Sequence, residues 1–411
     1  MQSMCTILLL LLVSTSATYL VPSPSGKYNV TLTTGPLIDY ARNDPTPRAL
    51  MLSVFQPARC ASTVPVSYMP NKTAEFQGPF LQQIFNMSID LTPLFLEARV
   101  SVCSDYSSSC SHLDDAPILL FSPGYSIPRL YYNALASAIA SEGFIVITID
   151  HPGDADIITY PDGHAVYNND TVQSLLTMKE HIPIRVTDAS FVIDQLSNAT
   201  AIAELLPHRG PRPFPTDRVA MLGHSLGGVA AVIAAGQDAR IRGAINWDGT
   251  FLESPSEVSQ PVLLMSHGMA DESWPATWPL LKGPKLWVDI ANTTHVTFSD
   301  VPTLLQAAGQ DATELAAESL GYLALVHGGA PGDVEHDVGT TRRLEDSGAI
   351  NLKMELNVIG VCELVTGRDA DLSTSTDGSI KDGDAIAVLN ENRVILGVRN
   401  GNGADLSATR L

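Results

Sequence analysis

Residues 219–228 read Val-Ala-Met-Leu-Gly-His-Ser-Leu-Gly-Gly, and Gly223-His224-Ser225-Leu226-Gly227 within them fits the pattern Gly-x-Ser-x-Gly. An apolar, strand-like run precedes the pattern, and an apolar helical run from Leu226 to Gly236 follows it. A serine placed where a strand bends sharply into a helix holds a strained backbone, and the residues two before and two after it crowd the bend. Glycine at both places removes the Cβ clash. The hydroxyl then stands above the carboxyl edge of a sheet, at a helix start where the N–H of Leu226 can face a developing oxyanion. A tight glycine turn with an incidental serine would explain the glycines but not their flanks. Ser225 is therefore the candidate nucleophile.

A serine hydroxyl is a poor nucleophile near neutral pH and needs a base that a third group orients. Behind a turn of this kind the chain order is serine, acid, histidine. Of 10 histidines, His295 comes after the last strongly apolar strand, Leu286 to Ile290, in a polar loop before Phe298 and the helical stretch Val301 to Ala308. It is the candidate base, ahead of His267, which ends an earlier strand, and His224, which adjoins the serine. Two acids fit. Asp248 ends the strand Ala244 to Trp247, and Asp271 lies in the loop after Pro261 to Ser266. Either would set a carboxylate at the same sheet edge. The loop after Pro117 to Ser122 offers a second oxyanion donor, the backbone N–H of Tyr125, in the turn begun by Gly124.

Outward from this centre, strands and helices alternate. Arg48 to Gln56 reads as an early antiparallel strand. Pro117 to Ser122, a helical pattern from Arg129 to Ser141, and Phe144 to Asp150 form a β-α-β unit. The last of these is nearly all apolar, as a parallel strand covered on both faces would be. Pro183 is expected to break Thr171 to Asn198 into two helices. Arg218 to Leu222, Leu226 to Gly236, Arg242 to Trp247, Pro261 to Ser266 and Lys285 to Ala291 continue the alternation. The pattern predicts an α/β-hydrolase fold, with a mostly parallel, doubly wound sheet flanked by helices. From about residue 331 the chain turns charged. Leu352, Met354, Leu356 and Val358 then alternate with period two, and Ala385 to Leu389 with Arg393 to Val398 read as a hairpin about Asn390-Glu391-Asn392. The expected division is a signal sequence over 1–17, a catalytic domain over 18–330 and a small β-containing extension over 331–411.

The signal sequence is read from the apolar run Cys5 to Val13 and the small residues Ser14 to Ala17. That run falls well short of the roughly 20 apolar residues that cross a bilayer, so no transmembrane anchor is expected and the protein is expected to be secreted. Sequons begin at Asn29, Asn71, Asn86, Asn169, Asn198 and Asn292. Beyond Cys5 the cysteines are Cys60, Cys103, Cys110 and Cys362, enough for one or two disulfides whose pairing spacing does not decide. The residues show no metal constellation. With 24 Lys+Arg against 44 Asp+Glu the formal charge is -20, which disfavours nucleic acid as a partner. Hydrophobic residues at 45% and charged ones at 17% describe a packed globular chain.

Four stretches together resemble a known family: FSPGYSIPRLYYNALASAIASEGFIVITIDHPGD (121–154), GHSLGG (223–228), INWDG (245–249) and HVTFSD (295–300). They are similar to the platelet-activating factor acetylhydrolase isoform II type of lipase/esterase, particularly its microbial secreted members, from about Arg48 to Leu305. The resemblance implies that the acid is the aspartate 23 residues past the nucleophile, Asp248 and not Asp271. It also implies that His295, Phe298 and Asp300 form the family's H-x-x-F-x-D motif. Animal members often carry His-Gly where this chain has Pro123-Gly124. Implied too is hydrolysis of a short acyl ester, such as the sn-2 acetyl group of an ether phospholipid, without metal or organic cofactor. The partner would be a small-molecule or phospholipid ester, met in solution or at a lipid surface. A general carboxylesterase, lipase or polyester hydrolase would use the same three residues. A non-catalytic binding protein on this scaffold would differ by failing to react with a fluorophosphonate.

Overall fold

A computed structural model of the protein describes residues 18–43, 46–84, 90–104, 113, 115–168, 174–267, 271–289 and 293–307, with two short strands further on, Gly397–Arg399 and Asp405–Leu406. The framework is one sheet. Its strands are β1 (Asn29–Asn43), β2 (Pro47–Ala58), β3 (Ile118–Ser122), β4 (Ile145–Asp150), β5 (Val219–His224), β6 (Ile241–Trp247), β7 (Val262–Ser266) and β8 (Lys285–Asp289). They lie side by side in the order β1-β2-β4-β3-β5-β6-β7-β8. Strand β2 runs antiparallel to both of its neighbours. From β4 to β8 every neighbouring pair is parallel. This is the α/β-hydrolase fold read from the sequence.

Successive residues of a strand face opposite sides of the sheet, and here both sides are covered. Ile118, Leu120, Ile145, Ile147, Val219 and Met221 pack on one side against helices α3 (Leu175–Leu196) and α4 (Leu226–Gln237). Leu119, Phe121, Val146, Ala220 and Leu222 pack on the other against α1 (Asn71–Ile84), α2 (Asn133–Ser141) and α5 (Val301–Ala307). Two dry faces are the reason that the central strands are apolar throughout instead of alternating.

The expected break of the α3 region at Pro183 does not occur. One helix of 22 residues runs through the proline. An interior proline costs a helix about 3 kcal/mol, but Ile182, Val186, Ala189, Val192, Ile193 and Leu196 of this helix are all buried. Each of the five larger side chains contributes roughly 1.5–3 kcal/mol of burial, which together outweighs the cost of the proline. Strand β1 and helix α1 escaped the sequence reading. The first has Gly35-Pro36 at its middle, the second contains Gly78-Pro79, and both signals normally mark turns.

Cys60 is joined to Cys103, with Cα atoms 5.7 Å apart, which settles a pairing that spacing left open. The bond ties the end of β2 to a small three-stranded sheet made of Tyr19–Leu20, Ala98–Cys103 and Thr63–Ser67. The asparagines of the sequons at Asn29, Asn71 and Asn198 are solvent-exposed, while Thr31 and Thr73 of the first two sequons are buried. Among the described residues no helix is long and apolar enough to cross a membrane. The expected signal sequence, Cys110, Cys362, the sequons at Asn86, Asn169 and Asn292, and most of the C-terminal extension lie outside the described residues. So does most of the expected hairpin. Its residues 397 and 398 belong to Gly397–Arg399, which pairs antiparallel with β8 and with Asp405–Leu406, so these two pieces extend the main sheet.

The disulfide closes a loop with a sequence separation of 43. Chain-entropy arguments put the stabilisation from a loop of that size at about 2–4 kcal/mol. The double variant Cys60→Ser/Cys103→Ser is expected to lose that much in chemical denaturation; an unchanged midpoint and slope would show that the cross-link does not constrain the unfolded chain.

Candidate active site

Parallel pairing aligns the carboxyl ends of the central strands. Ser122 lies beside Gly223, His224 beside Trp247, and Trp247 beside Met265. The loops that leave β3, β5, β6 and β7 therefore emerge together, carrying Tyr125, Ser225, Asp248 and His267. A sheet of this kind places ligands at that edge.

Ser225 occupies the turn between β5 and α4 with φ 55° and ψ -125°. The space around it leaves no choice of neighbours. A Cβ on Gly223 would come within 2.1 Å of the Gly227 backbone, and one on Gly227 within 2.0 Å of the Ser122 carbonyl. The Ser225 N–H donates to the Trp247 carbonyl at 2.7 Å, which fastens the turn to the end of β6. Among the described residues three non-glycines have positive φ: Ser126 at 63°, Ser225 at 55° and Asp248 at 56°. All three line the same cavity, of about 530 Å³. Strained backbone gathered at one cavity is a mark of function.

Asp248 follows β6, and its N–H is held by the Met265 carbonyl at 2.8 Å. Its buried carboxylate meets His295 Nδ1 at 2.6 Å. It also accepts from the His267 backbone N–H at 3.0 Å and from His267 Nδ1 at 2.7 and 2.6 Å. Burial by itself would raise this carboxyl. The hydrogen bonds from His267 and His295 prevail and hold it well below the usual carboxylate range. A carboxylate only accepts, so Nδ1 of each ring carries the proton and Nε2 of the neutral imidazole is left as the basic nitrogen.

His295 opens a short 3-10 turn, His295–Phe298, whose start is fixed by reciprocal hydrogen bonds between Thr294 and Thr297. Beneath it Asp300 is buried and accepts from Tyr68 Oη at 2.6 Å, from the Ala134 N–H at 2.6 Å and from the Leu135 N–H at 3.1 Å. The aspartate of HVTFSD thus caps α2 and pins the loop that bears His295. His224 packs between, its ring centroid 4.5 Å from that of His295. Burial, together with neighbouring His295, pushes the His224 imidazole well below its ordinary value, so it stays neutral. Its Nδ1 meets Tyr132 Oη at 2.8 Å.

The other residues singled out in the sequence fall as follows. Tyr125 and Leu226 are buried and line the cavity with Ser225, Asp248 and His295. Gly124 passes close to the serine, since a Cβ on it would lie 3.6 Å from Ser225 Cβ. Asp271 also lines the cavity, but its carboxylate accepts from the Ser273 N–H at 2.8 Å and Ser273 Oγ at 2.6 Å, at the start of the short helix Ser273–Thr277. It does not meet His295. Phe80, Trp274 and Trp287 make much of the apolar wall. The second imidazole on Asp248 was not read from the sequence, although His267 stood at the end of a strand in plain view.

Comparison with known proteins places the chain. The model of the family described as platelet-activating factor acetylhydrolase, isoform II, matches residues 13–194. A protein of Arthroderma benhamiae named probable 1-alkyl-2-acetylglycerophosphocholine esterase is 31% identical over 324 residues, 72% of this chain and 80% of that one. The dog platelet-activating factor acetylhydrolase is 24% identical over 272 residues, 60% of each chain. Among solved structures, the ferulic acid esterase of Streptomyces cinnamoneus superposes with a TM-score of 0.63 at 24% identity, covering 88% of this chain and 97% of that one.

One buried carboxyl beneath the site yields a pH dependence. Burial, with Asp154 nearby, pushes Asp156 up to about 8 against the lowering effect of the Ser126 and Gln77 side chains. The folded protein then keeps a proton that the unfolded chain has released, in the window between about pH 4 and pH 8. Asp156 contributes most stability below the lower limit, and its contribution is lost as pH rises through the window. Between pH 5 and pH 8 wild type is expected to lose on the order of 2–4 kcal/mol more than Asp156→Asn in urea denaturation. Parallel losses in the two proteins would remove Asp156 from the account.

Proposed function

Because the chain belongs to the platelet-activating factor acetylhydrolase isoform II family and is an ester hydrolase, we propose that Ser225, His295 and Asp248 carry out acyl transfer from a short-chain ester, with 1-alkyl-2-acetylglycerophosphocholine as the type of substrate. The observation that carries this reading is the 2.6 Å bond from His295 Nδ1 to Asp248 Oδ2 beside a strained serine on the same cavity.

In the first step His295 Nε2 takes the Ser225 hydroxyl proton while Oγ attacks the ester carbonyl carbon. The carbonyl oxygen becomes an oxyanion, which the N–H groups of Leu226 and Tyr125 receive. His295, now an imidazolium, is stabilised by the charge of Asp248, and it returns its proton to the departing alcohol oxygen as the C–O bond breaks. Water then gives a proton to the same nitrogen and attacks the acyl-enzyme, releasing the acid and restoring Ser225. The geometry suits Asp248 for this part and does not suit Asp271, whose oxygen is already committed to Ser273.

The substrate in the name of the Arthroderma benhamiae relative supports the acetylated ether phospholipid. Much of the cavity wall is apolar, from Phe80, Leu81, Ile127, Leu252, Trp274 and Trp287, and Ser225, Asp248, His267 and His295 are among its polar groups. Such a site holds the body of an ester by burial and places its carbonyl by a few hydrogen bonds.

Two measurements test the proposal. With a p-nitrophenyl acetate assay, Ser225→Ala should abolish turnover, Asp248→Asn should lower kcat by about 10⁴-fold, and Asp271→Asn should stay within several-fold of wild type while losing about 1 kcal/mol of stability with its weakened hydrogen bonds to Ser273. Loss in the Asp271 variant alone would transfer the acid to that residue. For the substrate, an ether phospholipid with an sn-2 acetyl group should be turned over with a kcat/KM at least about 10-fold above its long-chain sn-2 counterpart, as expected if each added methylene must be accommodated in a fixed cavity. The reverse order would make the protein a long-chain lipase.

A further inference from the structure

Behind the Tyr125 turn lies Arg185 of α3, with 1% of its side chain exposed and no part in the cavity wall. Its guanidinium has five N–H donors, and each meets an acceptor inside the protein. Nε and Nη2 clamp the two oxygens of Asp154, both at 2.6 Å. Nη1 reaches Ser122 Oγ at 3.1 Å and the Pro123 carbonyl, and Nη2 reaches the Gly124 carbonyl at 3.1 Å. Asp154 in turn lies 3.4 Å from the Ser126 N–H as its acceptor. Burial would raise the Asp154 carboxyl, but Arg185 beside it holds it below its usual range, so the pair is charged.

The anchor is itself anchored. Ser122 Oγ meets His151 Nε2 at 2.9 Å, and His151 Nδ1 meets Asp188 at 2.7 Å. Burial lowers His151 towards the neutral form. Nδ1 then donates to the carboxylate, Nε2 accepts from the serine hydroxyl, and the serine oxygen accepts from Arg185. Arg48 grips Asp188 from the far side at 2.8 and 2.7 Å.

Peptide planarity turns this into a constraint on the next residue. In the trans peptide between Gly124 and Tyr125 the C=O and N–H point in opposite directions. A guanidinium that draws the Gly124 oxygen inward therefore aims the Tyr125 N–H towards the cavity side, where the chain already passes beside Ser225. We infer that Arg185, locked by Asp154, is a positioning residue of the oxyanion site, which sets the direction of the Tyr125 N–H by holding the carbonyls of Pro123 and Gly124. This rests on the reading of Ser225 as nucleophile and the Tyr125 N–H as donor. Lysine would keep the charge opposite Asp154, yet as a point donor it cannot span two carbonyls and a carboxylate in one plane.

The test uses the full chain with Arg185→Lys and, because a buried ion pair is disturbed, Asp154→Asn as a second variant. Reactive serine is titrated with a labelled fluorophosphonate, so that turnover is expressed per labelled site and a partly unfolded sample still reports. The expected result is a kcat lower by about 10²-fold or more, the loss typical of one oxyanion donor, with KM within about threefold. A trifluoromethyl ketone, whose hemiketal oxygen occupies the oxyanion position, should bind more weakly by about the same factor as kcat/KM falls, a parallel that simple destabilisation would not produce. A kcat per labelled site within about threefold of wild type in both variants, on the scale of that donor's expected effect, overturns the inference. Failure of the label to reach Ser225 in wild type would instead overturn the reading on which it rests.

Discussion

The tight bend at Ser225 governs the rest of the molecule. Backbone atoms of Gly223, Gly227 and Ser122 approach so closely that no side chain fits between them. That closeness is available only if β3 and β5 are adjacent and parallel, so that the loop leaving β3 crosses directly over the start of α4. The parallel pairing of β3 with β4 in turn demands a helical crossover between those two, and apolar strands demand helices on both sheet faces to keep them dry. A strand order that separated β3 from β5 would leave the serine with a sharp turn but no loop above it to complete the site.

What could be read in the sequence followed from how local its cause is. The elbow was legible because five consecutive residues carry the whole steric argument. His295 was legible from chain order and from the apolar strand before it. The acid was not legible from local chemistry, because Asp248 and Asp271 both follow strands that end at the same edge. Resemblance to a family favoured Asp248, and the geometry supplies the physical distinction: the Asp271 carboxylate turns back onto Ser273, two residues away, while Asp248 faces two imidazoles. Pro183 misled because a propensity of a few kcal/mol was weighed without the buried face that opposes it. Arg185 was invisible for the opposite reason, since its partners lie 31 to 63 residues away in the chain and only the fold brings them together.

Charge is distributed with a purpose that composition conceals. A chain of formal charge -20 would be expected to keep its cations at the surface. Instead Arg129 is buried against Asp150 and Arg185 against Asp154, and the half-buried Arg48 grips the buried Asp188. None of these arginines lines the cavity. Arg185 holds the carbonyls of the Tyr125 turn without standing in the cavity, its charge is paired with Asp154, and the carboxylate that faces His295 there is Asp248.

Stability does not account for such pairs. A buried ion pair often contributes no more than well-packed apolar side chains of the same volume would, because desolvation offsets the attraction. What an apolar pair cannot do is hold carbonyl oxygens in a chosen direction. The three left-handed residues of the site each cost about 1–3 kcal/mol, a large share of the ~5–15 kcal/mol by which a domain is stable, so each needs a restraint that forbids relaxation. Ser225 has the Trp247 carbonyl and Asp248 has the Met265 carbonyl, both supplied by neighbouring strands. Ser126 stands beyond the end of β3, where its carbonyl accepts from the Asp156 N–H at 3.1 Å. The Arg185–Asp154 pair adds to that bond, donating to the carbonyls before the turn and accepting from the amide within it, and so reinforces in a loop what hydrogen bonding between strands does for the other two.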